Sequence, residues 1–242
     1  MDITKFDLGA WTEKFKPFIE SPEMDAIYSK LKADAKMNKQ ILPKSSNTFE
    51  VFKRVPPDKL RVVFYLQDPY ATMKDGVVIA SGIALDCSNV APSLQPSLTN
   101  FYEEIERTVH GGMCLHCEKP ASLQYLLDQG VMLINSDLTC ELNKSGSHTG
   151  LWEPFMKYFI EEILNKEHRG LIFILSGKSS QRLEKYILPM VHYVFKTTHP
   201  ASASYKGDTW NSEDVFNKVN NLIEQNNGKE FRIEWMPEPA PF

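Results

Sequence analysis

The rhythm of hydrophobic and polar positions changes near residue 50. Residues 1–50 are polar with helical spacing, which predicts helices over 8–19 and 22–37, the second ended by the Leu42-Pro43 pair. Four short apolar runs come next, rich in β-branched and aromatic residues: RVVFYL at 61–66, VMLI at 131–134, LIFIL at 171–175 and YVFKTT at 193–198. Runs this short, bounded by turn residues, predict buried parallel strands, although periodicity alone also allows buried helix. Helical spacing fills the intervals at 97–109, 120–128, 152–166 and 179–188, with a final helix near 212–225. Strands alternating with helices imply crossover connections, hence an α/β fold with a central four-stranded parallel sheet flanked by helices. There is no internal repeat, linker or low-complexity tract, and a single domain over 1–242 is expected, its helical N-terminal part at 1–50.

Each strand gives way to a polar, chemically specific segment. The first run ends in QDPY (67–70), the second in NSDLT (135–139), the third in SGKSSQ (176–181) and the fourth in HPASAS (199–204). Ligands of open α/β sheets bind outside the carboxyl ends of the strands. Chain order therefore delivers Asp68, Asn135 and His199 to one rim: an acid, an amide and an imidazole. Taken alone, an aspartate before proline favours a turn, and a histidine before proline is an ordinary structural residue.

Composition narrows the classes without choosing among them. At 242 residues, 42% hydrophobic and 24% charged, the chain can bury a sizeable core. It has no apolar run long enough to span a bilayer, and MDITKFDLGAW lacks the basic flank and apolar centre of a signal peptide, so an intracellular place is expected: cytoplasm, or nucleus in a eukaryotic host. The formal charge of −4 argues against indiscriminate polyanion binding. Between 166 and 206, however, seven basic side chains face two acidic ones, either a solvated basic face or a phosphate-facing one. Four cysteines are too sparse for a disulfide scaffold. Two of them lie in HGGMCLHC (110–117), whose C-x-x-C spacing is compatible with zinc but is read as a loop with two thiols and no metal.

Six landmarks in order, QDPY, PSLTN at 96–100, GVMLIN at 130–135 followed by LT, SHTGLWEPF at 147–155, HP at 199–200 and FRIEWMP at 231–237, resemble those of the family-1 uracil-DNA glycosylases. The similarity spans a core of roughly residues 60–237. It implies hydrolysis of the N-glycosidic bond of uracil in DNA by base flipping, a DNA-repair activity without cofactor, and a final strand in FRIEWMP. By position, Asp68 matches the catalytic acid, His199 the catalytic histidine, Asn135 the amide that reads uracil and Tyr70 the ring that blocks the thymine methyl, with Gln67 and Leu85 also at the base. Pro96, Ser97, Gly177, Lys178, Ser202 and Ser204 match DNA-contacting positions. The expected partner is uracil-containing DNA, with no membrane, a monomeric state, and a replication protein or a protein inhibitor as further partners.

The chain departs from the pattern at three places. Ala71 stands where the family has a histidine, Leu85 where it has a phenylalanine stacked on the base, and Ala203 where it has a leucine wedge. Lost stacking should weaken ground-state binding without removing the chemistry, and a lost wedge should penalise duplex more than single-stranded or weakly paired substrates. The same departures resemble the more distant viral and phage members. They also leave open a second reading, a weakly active or inactive DNA-binding or polymerase-accessory module on the same fold, which the retained Asp68, Asn135, Tyr70 and His199 speak against.

Overall fold

A computed structural model describes residues 7–114, 116–202 and 209–237. Its centre is a sheet of four parallel strands, β1 (Val62–Leu66), β2 (Val131–Asn135), β3 (Ile172–Ser176) and β4 (Tyr193–Thr197), in the order β2-β1-β3-β4. The first three strands are buried along their whole length, as continuous Val, Ile, Leu and Phe runs require when helices cover both faces. Leu66 pairs with Asn135 and Ser176 with Thr197, so the strand ends are nearly level. The chain leaves β1 toward one neighbour and returns past it to the other. That reversal opens the crevice where open α/β sheets bind ligands.

The N-terminal helices Thr12–Ile19 and Pro22–Lys36 form close to where expected. Ser21 caps the second, its hydroxyl accepting from the Met24 N–H at 3.3 Å, with Pro22 at the first helical position. This helix stops at Lys36, ahead of Leu42-Pro43, because Ile41 and Leu42 are drawn into a two-residue antiparallel ladder with Cys140 and Glu141. The N-terminal part shares the main core: Trp11 packs on Phe159 at 5.3 Å and Phe15 stacks on Phe155 at 4.7 Å. Helix Pro96–Val109 buries Leu98, Phe101, Tyr102 and Ile105 on one stripe. The stretch 152–166 is one helical run whose middle, Phe159–Leu164, widens to π-helix, and 179–188 becomes a short α-turn (Lys178–Gln181) running into a 3-10 turn (Arg182–Tyr186). Of 120–128, only Gln124–Asp128 is helical, since the Asp86 carboxylate takes the Leu123 N–H at 2.9 Å. The last long helix is Val215–Asn227.

Two expectations are corrected. FRIEWMP is not a strand: the Ile233 N–H and carbonyl bond to the Asn220 side chain at 2.7 and 2.9 Å, and those of Glu234 to Gln129 at 2.8 and 3.1 Å, so side-chain amides replace a neighbouring strand. Cys114 and Cys117 are not two free thiols but are joined in a disulfide, while Cys87 and Cys140 are buried and unpaired. No helix of the described residues is long and apolar enough to cross a membrane.

Candidate active site

A cavity of about 230 Å³ opens beyond the carboxyl ends of the strands. Asp68, Asn135 and His199 all line it, with Tyr70, Leu85 and Ser97 completing the wall among small and apolar neighbours such as Ala71, Gly82 and Ile83. It is smaller than the roughly 300–1,000 Å³ of drug-sized sites, a space for a single ring.

Asp68 lies two residues past the end of β1, directly before Pro69. Its carboxylate accepts from the Ser145 hydroxyl at 3.1 and 3.0 Å and from the Gly146 N–H at 2.5 Å. Burial pushes the carboxyl above its ordinary range, the Gly146 and Ser145 donors pull it back, and the Asp137 charge adds to the upward push. The donors come from the turn after the ladder Cys140–Glu141, tied down by the Asn143 N–H on the Ala71 carbonyl at 2.5 Å. Neither Ser145 nor Gly146 stood out in the sequence. The only signal was a polar Lys-Ser-Gly turn directly before the SHTG landmark.

His199 follows β4, on a corner held by several bonds. Ser176 Oγ and Trp210 Nε1 donate to the Thr198 carbonyl at 3.0 and 2.9 Å, and Asn100 Nδ2 donates to the Pro200 carbonyl at 2.8 Å. Gly177, with φ +86°, packs so closely that a Cβ there would lie 3.0 Å from the His199 Cβ. Burial pushes the imidazole down to about 4, so the ring is neutral near pH 7. The Ala201 N–H donates to Nδ1 at 3.1 Å, which leaves the ring proton on Nε2. The ring therefore has one N–H to offer a ligand.

Asn135, the last residue of β2, is buried and presents both a donor and an acceptor. Tyr70 is anchored by its hydroxyl, which donates to the Leu85 carbonyl at 3.1 Å, and burial pushes this phenol well above its usual range. Leu85 sits at φ +63°, a left-handed conformation that leucine adopts only under constraint from its surroundings. Gly82 in the same wall, at φ +95°, could carry no Cβ, which would come within 1.9 Å of the Asn47 carbonyl.

Not every expected residue is gathered here. Gln67 does not line the cavity; its side-chain amide donates to Ser145 Oγ at 3.4 Å, behind Asp68. Pro96 and Lys178 are exposed at helix starts outside the cavity, Gly177 backs His199, and Ser202 donates its hydroxyl to the His199 carbonyl at 2.7 Å. Ser204 and the variant position Ala203 lie outside the described residues. The basic stretch is largely neutralised: Lys166 pairs with Glu162, Lys185 with Glu153, Lys196 with Glu184 and Arg182 with Asp137 at 2.7 Å. Lys178 has no ion pair among the described residues and is the exposed cation nearest the rim in sequence.

A doubly wound α/β protein whose strand ends surround a one-ring cavity with a carboxylate, an amide and a neutral imidazole is the class that fold and site define. No family model matches the chain. Uracil-DNA glycosylase of Pseudomonas aeruginosa (strain UCBPP-PA14) is 32% identical over 231 residues, spanning 94% of this chain and 93% of the relative. That of Azotobacter vinelandii is 30% identical over 221 residues, 90% of this chain and 89% of the relative. The crystal structure of mimivirus uracil-DNA glycosylase superposes with a TM-score of 0.82 at 26% identity, over 95% of this chain and 88% of that one. A mimivirus UNG variant in complex with UGI gives 0.83, also at 26%, over 97% and 91%. The chain belongs to the uracil-DNA glycosylase family.

Proposed function

We propose that this chain is a DNA-repair enzyme that hydrolyses the N-glycosidic bond of deoxyuridine in DNA, releasing uracil and leaving an abasic site, and that it works as a divergent family-1 member. The observation that carries the reading is the meeting of Asp68, Asn135 and His199 in one cavity of about 230 Å³. A base within a duplex is out of reach of such a cavity, so the nucleotide must rotate out, at a cost of a few kcal/mol that weak pairing reduces.

As the bond breaks, positive charge grows on the sugar and negative charge on the base, and pre-placed opposite charge lowers the barrier. Asp68, ionised, lies beneath C1′, stabilises the cation and holds the attacking water. Water gives its hydroxyl to C1′ and its proton to the Asp68 carboxylate, while the glycosidic electron pair leaves with the base as its anion, which takes up a proton on release. His199 donates its Nε2–H to uracil O2 as that oxygen becomes anionic. Asn135 reads O4 and N3–H together, where cytosine presents the reverse pattern, and an unsatisfied buried partner costs about 1–3 kcal/mol. The Tyr70 ring occupies the space of a C5 methyl. Ser97, Pro96, Gly177, Lys178, Ser202 and Ser204 hold the flanking DNA backbone, and Gln67 supports the base pocket through Ser145.

Leu85 in the wall offers no aromatic face, Ala71 no imidazole for the water and Ala203 no wedge. Single-stranded or weakly paired uracil is therefore the preferred substrate. Likeness to mimivirus structures supports a viral kinship, and the complex of mimivirus UNG with UGI supports a protein inhibitor among the partners. The test is release of uracil from matched single-stranded and duplex oligonucleotides by the wild type and Asp68→Asn. The wild type should release it faster from the single strand, and Asp68→Asn should be slower by about 10²–10³-fold or more. Equal rates for the two proteins would remove Asp68 from the chemistry, and no product from either would leave only a binding role.

A further inference from the structure

The loop that closes helix Pro96–Val109 takes no part in the cavity, yet it gathers His110, Cys114 and Cys117 at one point. The imidazole nitrogen and both sulfurs lie within 4.8 Å of one another, and His110 Nε2 is 3.7 Å from Cys117 Sγ. The arrangement is held by groups outside the cluster. The buried Glu106 carboxylate accepts from the Cys114 N–H at 3.3 Å and from Lys119 Nζ at 2.7 Å, while its carbonyl takes the Gly112 N–H at 2.9 Å. The Glu118 N–H donates to the Pro237 carbonyl at 2.9 Å, which fixes the far side of the loop.

We propose that, once the Cys114–Cys117 disulfide is reduced, this cluster binds one Zn²⁺ through His110 Nε2 and the two sulfurs. Zinc–sulfur bonds of about 2.3 Å and zinc–nitrogen bonds of about 2.0–2.1 Å set the S···N edge of a tetrahedron at about 3.6 Å. The 3.7 Å between His110 and Cys117 is already close to that edge, Cys114 Sγ lies within 4.8 Å of the imidazole, and the sulfurs have to part. Thiolate and imidazole donors select a zinc-like ion over magnesium or calcium. The fourth position falls to water or to His116, exposed on the same loop. Reduction by a dithiol passes two electrons and two protons to the disulfide, the reductant becoming a disulfide itself. Zn²⁺ then displaces the two thiol protons as the thiolates bind. Disulfide and metal exclude each other, since sulfurs bonded to one another cannot both be thiolate ligands. The occupied loop pins the far end of the helix that brings Ser97 to the cavity, a structural role remote from the reacting bond.

The test is anaerobic titration of the fully reduced chain with Co²⁺, whose thiolate charge-transfer band reports sulfur ligation, followed by competition with Zn²⁺. A 1:1 tetrahedral cobalt spectrum displaced by Zn²⁺ is expected. The band should vanish in Cys114→Ser/Cys117→Ser and in the disulfide form of the wild type, and His110→Ala should weaken binding roughly tenfold or more. Absence of a thiolate band in the reduced wild type would overturn the proposal. So would a band that survives in the double variant, which would assign the metal to Cys87 or Cys140, or an unchanged affinity in His110→Ala.

Discussion

At the scale of single residues, the site places a carboxylate where folding alone would not choose one. Burial raises Asp68 above its ordinary range, so relative to the unfolded chain it contributes stability when protonated and loses it as pH rises through its folded value. Near neutral pH the ionised group therefore weighs against folding. Asp68→Asn should leave the melting temperature unchanged or higher while uracil release collapses; a clear drop in melting temperature would mark the carboxylate as structural. His199 is displaced the other way, down to about 4. Ionised Asp68 and neutral His199 both persist as pH rises, so this pair produces an acid limb in the rate and no alkaline one. The meeting of Asp68, Asn135 and His199 at one cavity was legible in the sequence because each closes a strand or follows one within two residues, whereas Tyr70 was reached only through the family resemblance. The tautomer of His199 was not legible, since it depends on the Ala201 N–H.

At the scale of elements, the turn bearing Ser145 and Gly146 governs the acid from 77 and 78 residues away in sequence. Hydrogen bonds to a charged group are worth about 1.5–3 kcal/mol, and those from Ser145 and Gly146 favour the ionised carboxyl. Ser145→Ala should therefore lower kcat by about tenfold and move the acid limb of the pH–rate profile upward, with KM little changed; a profile that stays in place would deny the turn its role. Such a turn reads from sequence as generic punctuation, and only the closed fold brings it under Asp68. The four strands were legible because β-branched runs between turn residues leave few alternatives. FRIEWMP, a strand only by its family resemblance, has the backbone groups of Ile233 and Glu234 taken by the Asn220 and Gln129 amides, a pairing that a motif match does not encode. The basic stretch left two readings open because its acidic partners Glu153, Glu162 and Asp137 lie outside it in sequence.

At the scale of the whole molecule, burial holds His148, His168, His192 and His199 below the usual histidine range, the last two at about 4. Between about pH 6.5 and 4 the unfolded chain binds more protons than the folded one, so stability present above that window is lost as pH falls through it. Calorimetry should show the melting temperature falling steadily from pH 7 to 4, with a shallower slope in His192→Gln; a flat profile would contradict the buried neutral rings. The global arrangement was the most legible level of all, because alternating strands and helices leave one way to gather the strand ends. The central claim is that this gathering makes one cavity read one pyrimidine, with Asn135 choosing it. The most direct measurement is single-turnover release of free base from uracil- and cytosine-containing single strands by Asn135→Asp beside the wild type. The wild type should release uracil alone, and Asn135→Asp should release cytosine; an Asn135→Asp enzyme that still releases uracil at the wild-type rate and no cytosine would contradict the account.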